Sequence, residues 1–223
     1  MNESARKIDT RTIVTIGMLC AIAFAAKCLS KAIPVSVAGF LEFDLKDVVI
    51  VIAGFICGPL PAAAVALVVS LIEMISISDT GFIGLIMNVL SSCAFACTAA
   101  ALYQRNRTMK GAVLSLAAGV LCMAAVMLLW NYLITPLYMK VERSRVVGML
   151  VPVFLPFNLL KGGINATLAM LLYKPLVNAL RRSRLVPPSA SAHARGLHWG
   201  VALVSLALFV TFALLALVLA GVL

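Results

Sequence analysis

The sequence predicts an all-α membrane protein that crosses the bilayer several times. Hydrophobic residues make up 63% of the 223 residues and charged residues only 12%, whereas soluble domains have about 45–50% and about 25%. The apolar residues form long blocks, and a helix needs about 20 such residues to cross the hydrocarbon core. They do not alternate with polar residues, which disfavours a β-barrel. This composition excludes a soluble globule, a disordered chain and a nucleic-acid-binding domain.

Six apolar blocks carry the predicted membrane spans. They are residues 13–33, 48–77, 82–103, 112–138, 153–173 and 197–223. The block 48–77 is long for one helix and contains Gly58-Pro59-Leu60-Pro61. Proline removes a backbone donor and clashes with the preceding turn, so one helix should end near Cys57 and another begin at Pro59. The sequence therefore predicts two short helices in this block and seven spans in all.

Charge placement sets the topology. The chain has 18 Lys and Arg against 8 Asp and Glu, a formal net charge of +10. With a split second block and a cytoplasmic N-terminus, the inner segments hold 11 of the 18 basic residues and 2 of the 8 acidic ones. An unsplit block would turn residues 105–110 and 181–184 outward, against the positive-inside rule. The charge therefore reflects membrane orientation, with no nucleic-acid partner expected.

This topology divides the chain into four parts. Residues 1–11 form a cytoplasmic N-terminus, and residues 12–182 form a six-helix membrane domain. Residues 183–196 are rich in Ser, Ala and Pro, which is typical of a flexible linker. Residues 197–223 form an additional transmembrane helix of nearly pure Leu, Val and Ala, where we expect no functional site.

The cysteines and histidines do not predict a metal centre. All six cysteines lie inside apolar blocks, and none forms a Cys-x-x-Cys pair. They are best interpreted as small apolar residues. His193 and His198 are too few and too near the C-terminus for a metal site. We therefore expect no metal and no cofactor.

Polar residues at membrane depth are the most informative, since each costs free energy unless it lines a cavity or meets a partner. They gather at the predicted outer ends of the helices. In the sixth span, Asn158, Lys161 and Asn165 are spaced i, i+3, i+7 and share one helix face. Lys161 could simply snorkel to the headgroups, but two asparagines on the same stripe favour a polar cavity.

The end of the fifth span has a second polar stripe. Asn131 and Thr135 are spaced i, i+4 and are flanked by Trp130, Tyr132 and Tyr138. The aromatic residues could be an interfacial belt. Asparagine offers both a donor and an acceptor, which suits a heterocycle with imide-type edges. Amides beside aromatic rings, without a catalytic pair, favour a binding pocket for a flat, uncharged polar molecule over an active site.

The segment before the second span is acidic and mixed in character. It reads Leu41-Glu42-Phe43-Asp44-Leu45-Lys46-Asp47. It could be a solvated loop with a helix N-cap at Asp44 or Asp47. It could also close a pocket.

The first span has small residues at helical spacing. Ala21 and Ala25 are four residues apart, and small residues at this spacing let another helix approach closely. Alanine is also common in membrane helices, so a docking face for another membrane subunit is one of two interpretations.

These segments together resemble the substrate-binding S component of energy-coupling factor (ECF) vitamin transporters, of the riboflavin-specific type. The resemblance covers residues 12–182. Ala-Gly-Phe at 53–55 and Gly-Pro-Leu at 58–60 are similar to S components generally. The segments Asn-Tyr-Leu-Ile-Thr-Pro-Leu-Tyr at 131–138 and Pro-Phe-Asn-Leu-Leu-Lys-Gly at 156–162 look specific to the flavin type. The C-terminal linker and seventh helix depart from the family's six helices.

The resemblance implies a subunit that binds riboflavin at the outer face. It would deliver the vitamin inward together with a transmembrane coupling subunit and two ATPases. Ala21 and Ala25 would form the coupling face. The implied substrate-binding residues are Leu41, Glu42, Phe43, Asp44, Asn131, Thr135, Tyr138, Asn158, Lys161 and Asn165.

Other functions fit these residues less well. An S component for another vitamin or for FMN is possible, although a phosphate would want more cations than Lys161 alone offers. A stand-alone secondary carrier would usually carry buried acidic residues at mid-span, and the spans have none there. An enzyme would need a Ser/His/Asp set, a carboxylate pair or a metal cluster, which the spans also lack. The chain also has no Gly-x-x-x-x-Gly-Lys-[Ser/Thr] loop, as expected if the ATPases are separate chains.

Overall fold

The computed structural model describes residues 10–32, 36–37, 41–78, 80–182 and 199–222, and these residues are mostly helical. Within them, six helical segments are long and apolar enough to cross a membrane. The long helices are α1 (Thr10–Ala32), α3 (Pro59–Ser76), α4 (Gly81–Arg105), α5 (Met109–Leu133), α8 (Leu155–Arg182) and α9 (Trp199–Leu219). The predicted all-α membrane fold is confirmed.

Helix α2 (Lys46–Cys57) is short and lies in the centre of the bundle. Every residue from Lys46 to Phe55 is buried, as expected of a helix that is apolar on all sides. It contacts α1, α3, α4 and α8. The apolar core of the protein is therefore built around this helix.

The predicted split between α2 and α3 is confirmed at Gly58. Its φ is +106°, a conformation that glycine adopts at little cost. Its N–H donates to the Gly54 carbonyl (2.8 Å) and ends α2, while Pro59 begins α3. A Cβ atom at Gly58 would also lie 2.7 Å from Nε2 of Gln104. The backbone conformation therefore favours glycine here, whereas the Gln104 side chain could move to make room for a Cβ atom.

Two short strands join α1 to α2, which the sequence analysis did not anticipate. β1 (Ser36–Val37) pairs antiparallel with β2 (Leu41–Glu42), and Val37 is opposite Leu41. Below, the end of the bundle that carries this hairpin is called the hairpin half. The end that contains Gly58 is called the packed half.

The connection from the fifth to the sixth span is more broken than the sequence suggested. The predicted span ends early, and a short helix α6 (Thr135–Met139) follows. Helix α7 (Arg143–Met149) then leads through a π-helical turn, Leu150–Phe154, directly into α8. The sixth helical segment therefore begins at Arg143, well before the predicted start at Val153.

Helix α9 packs against α8. Its Phe212 ring covers Gly163, where a Cβ atom would lie 2.8–3.0 Å from three ring carbons. The predicted linker, residues 183–196, and residues 1–9 lie outside the described residues.

Candidate functional site

The hairpin half contains a cavity of about 300 Å³, the lower end of the usual range for ligand pockets. Residues from α1, the β2 strand, α3, α4, α5 and α8 contribute to it. The lining residues are Lys27, Lys31, Leu41, Glu42, Asp44, Glu73, Ile77, Ser78, Thr80, Met87, Asn88, Ser91, Met127, Asn131, Phe157, Asn158 and Lys161.

Two asparagines form an amide wall of the cavity. The side-chain nitrogen of Asn131 donates to the Met127 carbonyl (2.7 Å), and that of Asn158 donates to the Phe154 carbonyl (2.7 Å). Thr135 donates to Oδ1 of Asn131 (2.8 Å). These bonds to the residues' own helices fix both amide groups, so a ligand would meet them in a preset orientation.

Lys161 is buried, with 9% of its surface exposed, and lines the cavity beside Asn158. Among the described residues, no side chain lies within ion-pair or hydrogen-bond distance of its ammonium group. A buried charge without a close partner is costly. Lys161 is therefore the cation of this site that is best placed to bind a ligand.

Asn165 lies one turn further along the same face of α8. It donates from Nδ2 to the backbone carbonyl of Asp44 (2.9 Å), and its Oδ1 has no hydrogen-bond partner within the described part of the chain. Asn165 therefore ties α8 to the segment that precedes α2. It supports the cavity from outside the lining.

A buried ionic network borders the cavity as well. Lys27 lies 3.0 Å from Glu73 and 3.4 Å from Asp44, and Lys46 lies 3.1 Å from Asp44 and also pairs with Glu73. Glu42, whose side chain is 53% exposed, lies 3.8 Å from Lys27 at the rim. Each buried charge thus has an opposite partner, as burial requires.

Asp44 connects this network to the backbone. Its Oδ1 accepts from the Lys46 N–H (3.0 Å) at the start of α2. The N–H of Leu45, between these two residues, donates to the hydroxyl group of Ser30 on α1 (3.0 Å). Burial alone would raise the pKa of Asp44, but the ammonium groups of Lys46, Lys27 and Lys161 hold it well below its usual range. Asp44 is therefore a carboxylate at neutral pH, and it both accepts from the first amide of α2 and forms part of the cavity wall.

Part of the remaining lining is apolar. Met87, Met127 and Phe157 contribute thioether and ring surfaces. The Phe157 ring packs against that of Phe43, with centroids 5.1 Å apart. A flat ring system would find both apolar surface and hydrogen-bonding groups in this cavity.

The structure brings most of the predicted site residues together. Six of them line the cavity: Leu41, Glu42, Asp44, Asn131, Asn158 and Lys161. Three others contact a lining residue: Phe43, Thr135 and Asn165. Tyr138, on α6, is 47% exposed and does not line the cavity.

The predicted set of substrate-binding residues lacked several lining residues, of which Lys27 and Glu73 matter most. Lys27 is a charged residue inside an otherwise apolar helix, and such a residue usually faces the interior of a bundle. That signal was available in the sequence. Its partners were not, because Glu73 and Asp44 lie on other elements.

The predicted coupling residues lie elsewhere. Ala21 and Ala25 are both exposed on α1, whereas Ala23 and Lys27 on the same helix are buried. Ala21 and Ala25 therefore present a small-residue surface that is separate from the cavity.

The fold and the cavity define a membrane-embedded protein that binds a small polar solute. Within the described residues, no group of His, Cys, Asp and Glu could hold a metal ion. The family model for the ECF transporter substrate-specific component matches residues 11–173. The chain therefore belongs to the ECF transporter S-component family. It is the substrate-binding membrane subunit of a transporter and not an enzyme.

Curated relatives agree with this assignment. The chain is 31% identical over 181 residues to riboflavin transporter RibU of Staphylococcus aureus (strain TCH60). The aligned region covers 78% of this chain and 94% of that protein. It is 28% identical over 190 residues to riboflavin transporter FmnP of Bacillus subtilis (strain 168), covering 80% and 100%.

A solved structure is also similar. It is described as the S component of a bacterial ECF transporter, with a TM-score of 0.64 and 31% identity over 76% of this chain and 97% of that one.

Proposed function

We propose that this protein binds riboflavin in the cavity of the hairpin half and serves as the riboflavin-specific subunit of an ECF importer. The observation that carries the proposal is the meeting of Asn131, Asn158 and Lys161 around one cavity of about 300 Å³. The names of the two curated relatives, both riboflavin transporters, support it.

The chemistry of the cavity matches riboflavin. The isoalloxazine ring is flat, with imide-type donors and acceptors along one edge, which suits fixed amide groups. Met127 and Phe157 supply apolar surface for the ring faces. The charged wall, with Lys27 and Glu73, supplies partners for the hydroxyl groups of the ribityl chain.

Charge balance favours riboflavin over FMN. Three lysines and three carboxylates line the cavity, so their formal charges cancel. Lys27 pairs with carboxylates, and Lys31 donates to the Ile77 carbonyl. Lys161 is then the remaining lining cation for a phosphate, and a phosphate dianion binds best to several charge-assisted donors.

The test is to purify the full chain in detergent and record its absorbance. Protein that carries riboflavin should be yellow, with a flavin spectrum, and the ligand-free protein should quench riboflavin fluorescence. FMN and unrelated vitamins serve as controls in a thermal-shift screen. Colourless protein that neither quenches riboflavin nor is stabilised by it would overturn the substrate assignment.

We also propose the orientation and partners that transport requires. The N-terminus lies in the cytoplasm of a prokaryotic cell, and the cavity opens to the outer face of the cell membrane. A transmembrane coupling subunit and two ATPases drive release of riboflavin inside. The exposed Ala21 and Ala25 form the docking face for the coupling subunit, since small residues allow close helix approach.

The docking face can be tested separately from substrate binding. Ala21→Leu and Ala25→Leu should prevent co-purification with the coupling subunit but leave riboflavin binding unchanged. Co-purification that equals that of the wild type would contradict this role.

A further inference from the structure

Helix α9 lies behind the lysine of the substrate site. Its Phe212 ring packs on Gly163 of α8, two residues after Lys161. Successive residues of an α-helix are about 100° apart, so Gly163 lies on the side of α8 nearly opposite Lys161. α9 therefore supports the back of the helix whose front carries the cation of the cavity.

This part of α8 needs support from its neighbours. Gly162 and Gly163 are adjacent, and a glycine in a helix interior is less favourable than an alanine. The α5 side chains of Val120 and Met123 close on Gly162, where a Cβ atom would lie 2.7 Å from Val120 and 3.1 Å from Met123. The glycine pair is thus held by α5 on one side and by α9 on the other.

The two faces of α9 differ as this role requires. Ser205 and Ala216 are buried and Phe212 is half-buried, whereas Leu206 and Leu214 are about half exposed. The match to the family model ends at residue 173, before α9 begins. α9 is therefore an addition to the matched fold that packs on it with one specific face.

We propose that α9, through Phe212, positions Lys161 for substrate binding. Phe212 is a positioning residue that acts through α8 and does not touch the ligand. The inference rests on the proposed function, because riboflavin is the ligand whose affinity reports the position of Lys161.

A double-mutant cycle in the full chain tests the inference. The variants are Phe212→Ala, Lys161→Ala and the double variant, with Phe212→Leu as the conservative replacement and Leu214→Ala as the lipid-facing control on the same helix. Riboflavin affinity is measured by fluorescence quenching. Phe212→Ala should weaken binding by about tenfold, a typical coupling between residues that act together. Phe212→Leu should restore much of the affinity, and Leu214→Ala should have no effect.

The decisive comparison is made in the Lys161→Ala background. If Phe212 acts by positioning Lys161, then Phe212→Ala has no further effect once the lysine is gone. An equal loss of affinity with and without Lys161 would mean that α9 only stabilises the fold, and it would overturn the inference. Unchanged affinity in Phe212→Ala would do the same.

A second measurement does not depend on riboflavin. In ligand-free protein, Phe212→Ala should speed backbone hydrogen exchange in residues 161–165, and Leu214→Ala should not. Equal exchange in both variants would also overturn the inference. A wild-type protein that binds no riboflavin would remove the proposed function alone, and the exchange measurement would then decide the role of α9.

Discussion

The two halves of the bundle are built on opposite principles. In the hairpin half, buried lysines and carboxylates surround a cavity, with Lys27 and Lys46 paired to Asp44 and Glu73. In the packed half, glycine and alanine bring helices into close contact, and a Cβ atom at Gly54 would lie 2.8 Å from that of Ala100.

This difference separates stability from recognition. A cavity lined by polar groups forgoes packing contacts, and the charges of its ionic network are tolerated because each has an opposite partner. Close packing of small residues supplies the dispersion contacts that hold membrane helices together. We therefore expect substitutions in the packed half to change stability alone, and those on the cavity wall to change ligand affinity as well or instead.

The largest expected effect is at Lys46, which lies outside the cavity lining but belongs to the buried ionic network beside it and acts on stability. It is 1% exposed and pairs with Asp44 and Glu73. Lys46→Met leaves these two buried carboxylates with Lys27 as their shared partner, so the free energy of unfolding should fall by about 3–5 kcal/mol. Denaturant titration in micelles measures this loss.

The matched control for Lys46 is Lys110→Met in the packed half, at an exposed position. It should change the unfolding free energy by less than about 0.5 kcal/mol. Equal stabilities for the two variants would break the comparison, because burial of the ionic network would then be unimportant.

The next expected effect is at Gly54 in the packed half. The methyl group of Gly54→Ala would lie 2.8 Å from Ala100 Cβ and 3.2 Å from Ala62 Cβ, and short side chains there cannot move aside. Overpacking of this kind costs about 1–3 kcal/mol. The same denaturant titration should detect it, while the riboflavin affinity of the folded fraction stays constant.

Gly17→Ala is the control for this substitution, since a Cβ atom at Gly17 has no neighbour within 4 Å. It should not lower stability. A loss of riboflavin affinity in Gly54→Ala would show that the two halves are coupled.

Substitutions of Lys161 and Asn131 should do the opposite of Gly54→Ala, lowering the riboflavin affinity and not the stability. Lys161→Ala and Asn131→Ala should each weaken riboflavin binding by about 1–3 kcal/mol, because ligand groups lose buried partners. Membrane insertion should be unaffected. Isothermal titration calorimetry gives the affinity, and Leu137→Ala, at a 70% exposed position on α6, is the control. Affinities equal to that of the control would contradict the proposed site.

The smallest expected effect is at Thr135, outside the cavity lining. Its hydroxyl group holds Oδ1 of Asn131 at 2.8 Å. Thr135→Val keeps the shape but removes this bond, and affinity should fall by about 0.5–1.5 kcal/mol. Thr135→Ser keeps the hydroxyl group and should bind like the wild type. If the valine and serine variants bound equally well, the orientation of Asn131 would not depend on this bond.

Local patterns in the sequence predicted much of this molecule. The helix break at Gly58-Pro59 could be predicted because both residues act directly on the backbone conformation. The shared helix face of Asn158, Lys161 and Asn165 could be predicted because helical periodicity determines which residues lie on the same side.

Long-range pairings were not predictable in this way. Lys27 and Glu73 lie on different helices, and nothing in the sequence states which charges meet after folding. The early end of α5 and the π-helical turn before α8 depend on packing between these segments, so hydropathy alone placed both boundaries incorrectly.

The π-helical turn at Leu150–Phe154 makes chain length, as well as residue identity, a determinant of this bundle. A π turn holds more residues per turn than an α turn, so deleting one residue there would restore regular α geometry. The segments on both sides of the turn would keep nearly the same facing, because the extra residue is taken up within one wide turn. The π turn therefore lets the chain carry about one more residue here than a regular α-helix would, while Asn158 and Lys161 stay in place.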